Sequence, residues 1–296
     1  MSPRSPRLPL WSDREVKFDE GWIVMGPEFV WPRAIVRQNT DAIEVRRVSE
    51  AAMLLDIPVT RVSIEDLGTH AAALGVGALP VGSVEFIRQA MYLADIEEPE
   101  PVSYPIELDH LLRRRLDITT IERVRSTKFV KPVRTKLFTG FVWDSNADDG
   151  SYSEHDLDQL NALRTLAPTT QIWAADPVQW LCEWRYYICH GKIIGAERYD
   201  PDGADDAPAP EGRVLQEAIQ RLAESSATPA AYGLDLGVLS TGETALVEVN
   251  DAWALGLYGR SIDPKDYLRL LATRWAQILD TRPKADSRMR SGHKER

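Results

Sequence analysis

Cysteine is nearly absent: Cys182 and Cys189 are the only two in 296 residues. Two thiols make no disulfide framework and no structural zinc site. An intracellular, reduced, cytoplasmic setting is expected. Long apolar runs are missing too. No stretch reaches the roughly 18 residues a membrane-spanning helix needs, so no membrane partner is expected. The first ten residues carry arginines and prolines but no apolar segment of the secretory kind. The five histidines are scattered; they give no zinc spacing and no Ser-His-Asp or Cys-His arrangement. No Gly-x-x-x-x-Gly-Lys-Ser/Thr run exists, which excludes a Walker A loop. There is no internal repeat.

Positive charge is short as well, with 35 basic against 45 acidic side chains and a net charge of −10. Such a body is not built mainly to grip nucleic acid. Residues 281–296 reverse the balance, with six Lys/Arg against two acids. They show no apolar periodicity and read as a disordered, solvated tail.

What remains is an ordinary apolar fraction of 44% in a chain long enough for two or three lobes. Residues 1–20 read as flexible. Residues 21–96 mix short apolar runs (21–25, 34–36, 59–62) with helical patterns near 49–55 and 64–74. A third helix starts at Ser83 and runs through Phe86, Ile87, Ala90 and Met91, an i, i+3, i+4 stripe. That alternation predicts a small α/β domain. Residues 97–280 open on a proline-rich linker over 97–105 and read as α+β beyond it: strands at 128–132 and 138–143, and a helix over 153–166 capped by Ser153. Hairpins over 180–199 and 231–250 turn at His190–Gly191 and at 240–243. Helices follow the pattern near 214–225 and 264–279.

Three constellations carry chemistry. In the second hairpin, Glu248 and Asn250 share a strand face, about 7 Å apart. If Leu239 pairs with Thr244, Asp235 falls directly opposite Glu248. Two facing carboxylates repel, and a divalent cation removes the conflict. Two carboxylates and an amide oxygen make a hard-oxygen set for magnesium; an exposed face of solvated acids is the bland alternative. The second is the basic run from Lys128 through Lys131, Arg134 and Lys136 to Gly140. It suits phosphate oxygens or is simply solvated. In the third, Glu183 and Arg185 share a face of an aromatic strand. They are either a structural ion pair or a ribose acceptor and a phosphate donor.

Together these stretches resemble the ATP-grasp superfamily, most closely a clade of it seen in bacteria and phages. The likeness runs in order through PVGSVEFIRQAM, KFVKPVRTKLFTGFV, EWRYYICHGKIIGAERYD and YGLDLGVLSTGETALVEVNDAWALGLY. It implies an ATP-grasp fold: two α+β subdomains, about 106–175 and 176–280, gripping ATP and Mg2+, preceded by the small α/β domain. By the resemblance, Lys131 contacts the nucleotide phosphates and Lys136 lies in the phosphate-covering loop. Trp173, Ala174, Ala175 and Asp176 form the hinge whose backbone reads adenine. Glu183 lies near the ribose, and Arg185 on the phosphate side. Asp235, Glu248 and Asn250 match the metal ligands. The loop with only one glycine and the late acid of the hinge depart from the pattern.

The acceptor, a small molecule, amino acid or peptide, is not named by these motifs. After the metal strand, Trp253 and Tyr258 read as an apolar wall and Arg260 as a fork for a carboxylate. That arrangement favours a ligase, which activates a carboxylate as an acylphosphate for attack by an amine and must exclude water. A small-molecule kinase and a non-catalytic nucleotide-binding regulator are the alternatives.

Overall fold

The structure, a computed structural model, describes residues 29–75, 77–134, 137–200 and 206–281. The apolar run at 21–25, the N-terminal segment 1–20, Lys136 and nearly all of the basic tail lie outside the described residues. Phe29 and Trp31 meet edge to face, with ring centroids 4.8 Å apart, in a unit that ends at Trp31. The architecture below belongs to the unit that begins at Pro32.

Short apolar runs separated by amphipathic helices make parallel pairing possible, because each helix carries the chain back across the sheet. Here β1 (Ile35–Gln38), β2 (Val59–Val62) and β3 (Leu79–Val81) form a parallel sheet in the order β2-β1-β3. The connecting helices are α1 (Ile43–Leu54) and α2 (Ala71–Gly75), and α3 (Val84–Leu93) follows β3. Ser83 caps α3 by accepting the Phe86 N–H at 3.3 Å, and the predicted stripe Phe86, Ile87, Ala90 and Met91 is buried. The helix expected at 64–74 is shorter, a 3-10 turn over Leu67–His70 running into α2.

Two antiparallel sheets follow. The first contains β4 (Leu116–Thr120), β5 (Lys128–Pro132), β6 (Phe141–Trp143) and β7 (Gln171–Ala175), in the order β4-β7-β5-β6. Helix α4 (Glu154–Arg164) covers one face, packing Leu160 and Leu163 on Val130, Phe141 and Ile172. The second contains β8 (Trp180–Cys189), β9 (Lys192–Arg198), β10 (Ala231–Leu239) and β11 (Thr244–Asp251), in the order β11-β10-β8-β9. Helix α5 (Gly212–Glu224) packs Leu215, Ile219 and Leu222 against Ile188, Leu234, Leu236 and Val249. Each sheet thus buries one face under a helix. Helix α6 (Pro264–Asp280) returns to pack against α1. The β8–β9 turn falls at His190 and Gly191, both in the left-handed region with φ of 48° and 71°, the geometry of a two-residue I′ turn.

The β10–β11 hairpin departs from the expected register. Thr244 pairs with Val238, one residue before Leu239. A bulge then intervenes: Leu236 faces Leu246 while Asp235 faces Glu248, leaving Val247 as the extra residue. The bulge cancels the offset and restores the Asp235–Glu248 pair. On the face of β10 that carries Asp235, Gly233 and Gly237 flank it. A Cβ at Gly237 would stand 2.5 Å from the Trp180 ring and 2.8 Å from the Cys182 carbonyl. Gly237→Ala should therefore cost about 1–3 kcal/mol through overpacking, seen as a lower urea midpoint with an unchanged slope.

Candidate active site

The free faces of the two antiparallel sheets enclose a cleft of about 690 Å³, within the range of small-molecule sites. Strand alternation aims four charged groups into it. From β8 and β10, Arg185 and Asp235 pair across the ladder. Arg185 Nε donates to Asp235 Oδ1 at 2.8 Å and Nη2 to Oδ2 at 2.6 Å. Both are buried, Asp235 completely. Burial opposes the charge on Arg185, and Asp235 outweighs it, holding the guanidinium above its ordinary range. From β11, Glu248 faces Asp235, and from β5 in the other sheet Lys131 contacts Glu248. Asn250 ties the carboxylates together, its Nδ2 donating to Asp235 Oδ2 at 3.0 Å and Glu248 Oε1 at 2.9 Å. Asp235, Glu248, Asn250, Lys131 and Arg185 thus meet at one spot.

Lys131 is the bridge between lobes. It pairs across the ladder with Trp173, and its ammonium sits 5.5 Å from the Tyr104 ring centroid. Burial pushes that ammonium down to about 8, with Asp235 opposing and Arg185 and Arg114 adding to the depression. Glu183 faces the same cleft and accepts the Tyr199 hydroxyl at 2.8 Å. Burial raises its carboxyl, and the Tyr199 hydrogen bond works against that rise. The sequence left Glu183 and Arg185 as an ion pair or two ligand-binding groups. They are not paired with each other; each has its own partner.

Of the four residues that the resemblance assigns to the hinge, only Asp176 is placed at the cleft. Strand β7 is flanked on both sides, Ala175 by Leu116 and Phe129, Ala174 by Asp117 and Val130, and Trp173 by Ile118 and Lys131. A central strand commits its N–H and C=O groups to its neighbours, so residues 173–175 have none left for a base. They do not line the cleft, whereas Asp176, Pro177 and Val178 do. Asp176 is held by Lys128 Nζ at 2.5 Å.

Arg260 is not brought to the cleft either. Its side chain is exposed, and its carbonyl accepts from Arg47 Nη2 at 3.0 Å. The cause is Glu197, a buried carboxylate on β9 that sequence reasoning missed. It accepts the backbone N–H of Tyr258, Gly259 and Ser261 at 3.2, 2.7 and 2.6 Å. Those bonds fix the loop with Arg260 outward and Tyr258, itself half exposed, at the rim of the cleft. Tyr258 stacks on Tyr199 with centroids 4.6 Å apart, and the Arg185 guanidinium lies 4.8 Å from the Tyr258 centroid. Trp253 also lines the cleft. The aromatic wall is present and the expected carboxylate fork is not.

A four-stranded antiparallel sheet over a second one, with charged groups converging between them, is the ATP-grasp arrangement. A family of ATP-grasp domains, the second family of its clade, matches residues 111–270, more than half of the chain; the chain belongs to that family. Among solved structures, the fold is similar to the D-cycloserine synthetase DcsG, with a TM-score of 0.51 and 13% identity over 83% of this chain and 100% of that one. It is similar to N5-carboxyaminoimidazole synthetase from Staphylococcus aureus, with a TM-score of 0.51 and 9% identity over 83% and 78%. The ATP-grasp ligase PsnB with a minimal precursor gives 0.48 and 12% over 82% and 99%. No curated protein matches the chain. Among the described residues, no helix is long and apolar enough to cross a membrane.

Proposed function

We propose that this chain is an ATP- and magnesium-dependent ligase that activates a carboxylate as an acylphosphate for attack by an amine or similar nucleophile. The observation that carries the reading is the meeting of Asp235, Glu248 and Asn250 with Lys131 of the opposite sheet at the cleft floor. The triphosphate would lie over Lys131. Adenine would reach the first backbone groups free of the sheet, the Asp176 carbonyl and the Val178 N–H, with the imino nitrogen of Pro177 between them offering no donor. Glu183 would accept from the ribose.

The donor set fits magnesium on charge. Asp235 and Glu248 are balanced by Arg185 and Lys131, so the cluster carries no surplus to neutralise phosphate oxygens. A hard cation held by Glu248, the Asn250 carbonyl oxygen and Asp235 would supply that neutralisation. Turning the Asn250 amide over presents its oxygen, an assignment that follows from the bonding partners. Among the described residues no group of three His, Cys, Asp or Glu is placed to hold a metal ion; phosphate oxygens and water would complete the shell.

The chain's own residues do the remaining work by position and charge. Lys131 holds phosphate, Arg185 holds Asp235 in place through two hydrogen bonds, and the Tyr199–Tyr258 wall with Trp253 keeps water from the acylphosphate. The acceptor is a small molecule, an amino acid or a peptide. ATP with magnesium should raise the melting temperature by mass action on the folded state. Lys131→Met should weaken nucleotide binding about tenfold, near 1.4 kcal/mol, read by calorimetric titration. With ATP, pooled amino acids or peptides and hydroxylamine, a ligase yields ADP, phosphate and a hydroxamate. A stable phosphorylated acceptor would instead show a kinase, and no nucleotide binding at millimolar ATP would rule out both.

A further inference from the structure

We propose that the open edge of β4 and the basic groove beside it dock an extended acidic peptide. The groove has a volume of about 500 Å³ and lies on the sheet face away from the cleft. Its Ala174 pairs with Asp117 and Val130, and Val130 belongs to the α4 core, whereas Lys131 on the other parity faces the nucleotide side. Four cations line it: Arg115, Arg123, Arg125 and Lys128. Two are answered, Arg115 by Asp117 at 2.8 Å and Lys128 by Asp176 at 2.5 Å. Arg123 has no acidic partner among the described residues, and Arg125 bonds only the Val124 carbonyl, at 3.5 Å. In a chain of net charge −10, two adjacent unanswered arginines are a local surplus suited to carboxylates.

The strand edge says what form those carboxylates take. Ile121 N–H donates to the Thr170 carbonyl at 3.2 Å. In an antiparallel ladder the bonded positions alternate, so Thr119 and Asp117 also turn their backbone groups to β7. Leu116, Ile118 and Thr120 turn theirs outward. Among the described residues no backbone group outside β7 bonds to residues 116–120. Such an edge accepts another extended backbone as a new strand. Side chains of that strand alternate in the same way. One set would meet Arg123 and Arg125 on the groove face. The other would meet Ile118, whose side chain is 51% exposed. A peptide alternating acidic and β-branched residues satisfies both faces. A second copy would bring like-charged rims together, and a nucleic acid would leave the strand edge unpaired.

The reading is independent of turnover, so the test is binding. A fluorescein-labelled octapeptide alternating Glu and Val is titrated with the full chain at low salt, with the Lys-Val peptide as control. Micromolar binding is expected for the acidic peptide alone, falling with salt. Arg123→Ala with Arg125→Ala should weaken it about tenfold or more. Ile118→Pro should do the same by removing an outward N–H without breaking the β7 ladder. If Ile118→Pro misfolds by circular dichroism, the arginine pair, exposed and outside the core, still decides. Binding that ignores the arginine variants overturns the proposal, as does no binding at millimolar peptide. Stronger binding of an oligothymidylate than of the acidic peptide assigns the groove to nucleic acid. A dimer in sedimentation that Arg123→Glu alters, without peptide binding, assigns the edge to a second copy.

Discussion

Replacing Asp235 with alanine should cost roughly 3–5 kcal/mol of folding stability, the range for removing one partner of a buried ion pair, and abolish ATP turnover. Arg185 is 5% exposed and spends two N–H groups on Asp235. Alanine leaves that guanidinium buried without a counter-charge, and it strips an acceptor from Asn250. Denaturant unfolding checks the stability and ADP release the activity. A second variant separates structure from chemistry. Replacing Arg185 with Met and Asp235 with Leu together removes both charges, and apolar substitution of a whole buried pair is often neutral or stabilising. The double variant should regain much of the lost stability while remaining inactive. If it regained turnover as well, the pair would be architectural and the site would lie elsewhere.

That outcome bears on what the amino-acid order made legible. Both long hairpins, the Ser83 cap and the Asp235–Glu248 partnership follow from local signals: turn residues, a two-residue period and capping chemistry. The partnership was reached through a register that the molecule does not use. A bulge at Val247 leaves no side-chain signature, yet it shifts the pairing by the one residue needed. Strand β4 escaped because Leu-Asp-Ile-Thr-Thr is short, half polar and at an edge, where one face of the period-2 signal is missing. Overlooking β4 also hid the second neighbour of β7. With that neighbour, residues 173–175, which the resemblance assigns to the hinge, are committed to the sheet. Lys131 and Glu248 lie far apart in the chain and on different sheets. No local pattern announces their contact.

Glu197 shows the same limit. Nothing in Gly-Ala-Glu-Arg marks an anchor, because its partners lie 61 to 64 residues later. Glu197→Ala should destabilise the chain by about 1–3 kcal/mol, the cost of one unanswered buried donor, because the three donors it answers are only partly buried. Three backbone N–H groups lose their acceptor, while the Tyr187 hydroxyl keeps the Gly256 carbonyl at 3.2 Å. The loss is local in origin, so hydrogen exchange should show it first at the amides of Tyr258, Gly259 and Ser261. Glu197→Gln keeps one acceptor oxygen but turns an NH2 toward backbone donors, and should fall between alanine and the native residue. Under the proposed function, magnesium–ATP should still bind either variant, because Lys131, Glu183 and residues 176–178 belong to other elements. A freed loop no longer holds Tyr258 on Tyr199, which opens the aromatic wall to water. In a ligase, that should appear as a higher share of ATP hydrolysed per product formed. Unchanged protection of the three amides in Glu197→Ala would show that Arg47, which bonds the Arg260 and Ile262 carbonyls at 3.0 and 2.9 Å, holds the loop by itself.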